Sequence, residues 1–160
     1  MVGSHSTRPT VLRMISRLAD MGPVRVVDGG FMYNPFIVQA GTHGGMKAMN
    51  QITVHRAFSC REMLTALESF DPGSAPFVIL DFLNTFFYFF EALEERKSLL
   101  RLCLEQLNRF EQTCSGLVSV HVPSILSQTE SELLEMVTRA CNDTYHMEMA
   151  VAAPTPVRVY

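Results

Sequence analysis

Charge is scarce in this 160-residue chain: 13 Lys or Arg and 16 Asp or Glu leave a formal net charge of −3. Such a balance offers no overall attraction to a polyanion, so net charge does not support a nucleic-acid partner. No C-x-x-C pair occurs among Cys60, Cys103, Cys114 and Cys141. Thiols spread so widely suit reduced, buried cysteines in a cytoplasmic protein better than a disulfide framework or a zinc site. The N-terminus has no apolar h-region, which argues against a signal peptide. The most apolar window, Phe77 to Leu93, is broken by Asp81, Asn84 and Glu91. It is also shorter than the ~20 residues that a membrane span needs, so a soluble protein with no membrane partner is expected. Internal repeats, low-complexity linkers and a G-x-S-x-G nucleophile elbow are all missing.

What is present is apolar matter in an ordered pattern. Hydrophobic residues make up 48% and charged residues 18% of the chain, a composition that argues against disorder. Length predicts one domain, read here as residues 10–160 behind a tail of residues 1–9. Within that tail Gly3-Ser4-His5 has the look of a cloning remnant.

The central stretch is Phe77-Val78-Ile79-Leu80-Asp81. An unalternating apolar run of this length reads as a buried strand of a parallel sheet. Its terminal Asp places a charge at the carboxyl edge, where open α/β sheets keep their ligands. Before it, the spacing of Val11, Leu12, Ile15 and Leu18 predicts a helix over 10–21. Val24-Arg25-Val26-Val27 predicts a strand ending at Asp28-Gly29-Gly30. Two glycines after a strand permit positive φ or a close backbone approach. Asn34-Pro35 reads as the cap and first turn of a short helix to about Ala40, and Ile52 to His55 as a strand. Ser59 caps a helix over 60–70, with Glu62 in capping-box position.

After the central strand, the pattern predicts one long helix from about Thr85 to Gln112. Leu117 to Val122 reads as a strand, and Thr129 to Cys141 as a helix capped by Thr129 with Glu132. The segments Tyr145–Val151 and Val157–Tyr160 read as a C-terminal antiparallel hairpin on the sheet edge. Strands alternating with helices give an α/β fold: three layers around a doubly wound, mostly parallel sheet.

Four places in this order resemble the core of the RecA-like recombinase ATPases, within the P-loop NTPases. Val26-Val27-Asp28-Gly29-Gly30 resembles the second strand of that core. Ile52 to Cys60 resembles the strand and turn before its next helix. Phe77 to Asp81 resembles its Walker B strand, followed by an aromatic segment ending in Glu91, and Leu117 to Pro123 resembles the strand after it. The resemblance covers most of residues 10–160 and implies a setting in DNA recombination or repair.

The departure is at the phosphate loop. G-x-x-x-x-G-K-[ST] cradles phosphates with backbone N–H groups, while its Lys and hydroxyl meet phosphate and Mg²⁺. The nearest candidate, Gly41 to Ala48, keeps Gly41 and Lys47 but has Met46 for the second Gly and Ala48 for the hydroxyl residue. In the family the loop joins the first strand to the first helix. This chain reads as starting at that helix, with the strand and loop missing.

Several edge residues remain candidates for holding nucleotide or metal: Asp81, Asp28, Gly29, Gly30, Arg56 and Glu91. ATP and Mg²⁺ enter only if a loop is supplied from elsewhere, and a lone carboxylate is a poor Mg²⁺ site. Asp81 is therefore read first as structural, capping a turn or pairing with an Arg such as Arg56. Asp28 and its glycines are read as a turn requirement. His55, His121 and His146 lie in strands, with nothing in their spacing that demands a metal.

The run Phe86-Phe87-Tyr88-Phe89-Phe90 cannot bury five successive rings on one helix face, since neighbours point about 100° apart. An exposed part of it, over 85–93, would be a protein contact, with self-association preferred.

The leading expectation is a non-catalytic RecA-like interaction or assembly module, accessory to DNA recombination or repair. One alternative is a nucleotide-dependent DNA ATPase subunit whose phosphate loop is degenerate or comes from a partner. Another is a small-molecule enzyme using the carboxyl edge around Asp28, Arg56 and Asp81. Without a Walker A loop or a complete catalytic constellation, the reading leans away from an enzyme.

Overall fold

A computed structural model describes residues 2–3, 8–70, 73, 75–87, 91–141, 143 and 146–147, with backbone alone for 2–3 and 146–147. Seven strands and seven helices follow one another among these residues: β1 (Val2–Gly3), α1 (Arg8–Met21), β2 (Val24–Asp28), α2 (Pro35–Gly41), α3 (Met46–Met49), β3 (Ile52–Arg56) and α4 (Cys60–Glu68). Then come β4 (Phe77–Leu80), α5 (Asn84–Phe87), α6 (Leu93–Glu111), β5 (Gly116–Val118), β6 (Val120–His121), α7 (Gln128–Ala140) and β7 (His146–Met147). The fold is α/β.

Four strands form a sheet in the order β3-β2-β4-β5, and three form a second in the order β6-β1-β7. Every pairing is parallel. Only Ser119 separates β5 from β6, so the two sheets meet along one extended segment. Followed through that seam, the lateral order is β3-β2-β4-β5/β6-β1-β7.

Both faces of the central strands are covered, which is why they read as unalternating apolar runs. Val24, Val26, Val78 and Leu80 pack with Val11, Leu12 and Ile15 of α1 and Val38 of α2. Val27, Phe77 and Ile79 turn to the other face, against Met63 and Leu67 of α4, Leu100 and Cys103 of α6, and Leu133 and Val137 of α7. The caps do their expected work in two helices. Asn34 Oδ1 accepts from the N–H groups of Phe36 and Ile37 at 3.0 and 3.3 Å. Ser59 Oγ accepts from Glu62 N at 3.2 Å, and the Glu62 carboxylate takes Phe58 N at 2.7 Å.

Five expectations are corrected. A strand does precede α1: Val2 and Gly3 pair with β6 on one side and β7 on the other. Within the range read as a tail, Arg8 and Pro9 also belong to α1. The single helix over 85–112 is two, α5 and α6, and Arg96 Nη1 donates to the carbonyl of Phe86 at 2.9 Å to close the end of α5. The cap of α7 is Ser127 with Glu130, a reciprocal capping box, not Thr129 with Glu132. Finally, the strand over 117–122 breaks at Ser119. Of the expected C-terminal hairpin, only His146 and Met147 are described, in parallel pairing with β1; its remaining residues lie outside the described ones. Among the described residues no helix is long and apolar enough to cross a membrane.

Candidate functional site

All strands point the same way, so the ends of β2, β3 and β4 bring Asp28, Arg56 and Asp81 to one carboxyl edge. Asp28 is 2% exposed, and its carboxylate organises the loop that follows it. Oδ1 accepts from Gly30 N at 3.3 Å and Met32 N at 2.8 Å, and Oδ2 from Tyr33 N at 3.0 Å. A carboxylate bound by several backbone donors is held in place. The Arg56 guanidinium lies beyond it, Nε 3.9 Å from Oδ2 and half exposed, and also over the Phe31 ring at 6.0 Å. Arg56 thus goes to Asp28, whereas sequence had offered it to Asp81.

Asp81 is 8% exposed and has φ of 52°, a left-handed conformation that Asp tolerates better than most residues. Ser119 and His121 fix it from the neighbouring strand. Ser119 Oγ accepts from Asp81 N at 3.0 Å and donates to Ile79 O at 3.2 Å. His121 N donates to Asp81 Oδ1 at 3.0 Å. Asn84, at the start of α5, reaches back with Nδ2 to Gly29 O at 2.8 Å, tying the two loops together.

Gly29 and Gly30 are needed for close approach. A Cβ on Gly30 would stand 2.3 Å from Asp81 Oδ2, and one on Gly29 would stand 2.9 Å from Asp81 O. Positive φ falls on Asp81 and on Phe31 (55°) instead. Ser119→Ala leaves the buried Asp81 N–H without its acceptor and is expected to cost ~1–3 kcal/mol. Urea denaturation measures this, with the folded-state spectrum unchanged.

Asp28, Gly29, Gly30 and Asp81 are therefore brought together with Arg56 alongside. Glu91 sits at the α5–α6 junction, where its Oε2 and Arg96 Nε are buried without a hydrogen-bond partner among the described residues, and it acts on the thiol of Cys60. Phe86 is fully buried and packs edge-on against Phe82 at 5.4 Å, and Phe87 packs on the same core. Phe86 is thus no surface residue, while Tyr88, Phe89 and Phe90 lie outside the described residues. His55 and His121 do not converge: β2 and β4 lie between β3 and the β5/β6 segment, a separation of roughly 14 Å at ~4.8 Å per strand. The His146 side chain lies outside the described residues. Among the described residues no group of three His, Cys, Asp or Glu is placed to hold a metal.

The loop candidate Gly41–Ala48 lies at the wrong end. A helix linking parallel strands runs back toward the amino edge, so the C-termini of α1 and α2 sit opposite Asp81. There Asp20 accepts from His43 N and Gly44 N at 2.9–3.0 Å, and those backbone donors lower its pKa.

Sequence reasoning missed Ser119, Asn84 and the junction between β1 and α1. That junction spans Gly3 to Thr10 and reads Gly-Ser-His-Ser-Thr-Arg-Pro-Thr. Set against G-x-x-x-x-G-K-[ST], it keeps the first Gly and the last Thr, with Arg8 and Pro9 at the second Gly and the Lys. The Arg8 side chain donates from Nε to Met32 O at 2.9 Å and from Nη2 to Phe31 O at 3.2 Å. It is therefore engaged by the same loop that Asp28 organises. Only the strand pairing of Val2 and Gly3 draws attention to this stretch. Compared with known families and with curated proteins, the chain matches no family model and no curated sequence.

Proposed function

We propose that this chain is a RecA-like α/β module that does not turn over nucleotide and serves as an interaction or assembly unit, accessory to DNA recombination or repair. The observation that carries the reading is the Gly3–Thr10 junction between β1 and α1. β1 ends at Gly3 and α1 opens at Arg8, and β1 lies two strands from β4, which leads into Asp81; in sequence the junction thus falls between a strand and a helix, as a phosphate loop does. Yet its Lys position is Pro9, which has neither an ammonium nor an N–H to offer a phosphate. Arg8 at the second Gly position spends its guanidinium on the carbonyls of Phe31 and Met32. The engagement of Asp81 Oδ1 by His121 N supports the same reading, because it assigns that carboxylate oxygen a structural partner.

Thermal unfolding with and without millimolar MgATP tests it. A ligand at one hundred times its Kd stabilises the folded state by about 2.7 kcal/mol, a rise of several degrees for a domain of this size. No rise is expected. A rise that vanishes in Asp81→Ala, with that variant otherwise folded, would instead favour a nucleotide-dependent subunit.

A further inference from the structure

We draw no further inference here: the strongest candidate, the half-exposed corner of Phe31, Phe58 and Arg56 beyond the ends of β2 and β3 at the carboxyl edge of the sheet, carries none because nothing in the structure shows what covers those rings.

Discussion

Between pH 9 and pH 11 the folded protein is expected to lose several kcal/mol of stability, far more than its surface charges would cost it. Burial pushes the Cys60 thiol up to about 11, with the Glu91 carboxylate adding to the effect. Burial also pushes Cys103 up to about 12, with Cys60 as its next contributor. Both start from 9.0. Above pH 9 the unfolded chain therefore releases protons that the folded chain keeps, and unfolding gains from every further rise. The stabilisation is whole below pH 9 and falls as pH climbs toward the folded values, by up to about 1.4 kcal/mol per pH unit for each thiol. Set against a total of ~5–15 kcal/mol, the loss from two such groups is a sizeable share of the stability by pH 11. Urea midpoints at pH 8, 9, 10 and 10.5 measure the slope, and a Cys60→Ala/Cys103→Ala variant should flatten it. The same slope in both proteins would show that the two thiols are not the cause.

Replacing Asp28 by Asn is expected to cost ~3 kcal/mol although it changes no volume. Its two carboxylate oxygens take three backbone N–H groups within five residues. The amide has only one acceptor oxygen and turns an NH₂ toward donors that had been bonded, and hydrogen bonds to an ionised group are worth ~1.5–3 kcal/mol each. The damage should centre on residues 29–33, where Arg8 also docks. Hydrogen exchange at Met32 and Tyr33 should accelerate in the variant while that of Leu80 does not. A variant as stable as the parent, with those amides still protected, would remove Asp28 from its place as organiser of this loop.

Much of this architecture was legible from local residues. Val24-Arg25-Val26-Val27 and Phe77 to Leu80 read as strands because their β-branched and apolar side chains meet covered faces, and Ile52 to His55 because Ile52 and Val54 pack on one face while Thr53 and His55 stay exposed. Asn34-Pro35 and Ser59 announced their helices by chemistry that acts within three residues. The features that were not legible depend on contacts far apart in the chain. Two residues of β1 carry no periodicity, so their strand exists only through partners more than a hundred residues on. Gly29 and Gly30 signalled a close approach, but not that Asp81, fifty residues later, makes it. The break between α5 and α6 falls without Gly or Pro, so nothing in the sequence punctuated it. Ser119 was one polar residue in an apolar run, and its hydroxyl matters only because Asp81 N is beside it.

The central claim, that the sheet's carboxyl edge is braced internally and does not serve as a nucleotide cradle, is tested most directly by calorimetric titration of MgATP into the intact chain. The account predicts only the heat of dilution. Saturable one-to-one binding that is abolished by Asp81→Asn, in a variant of unchanged fold, would contradict it.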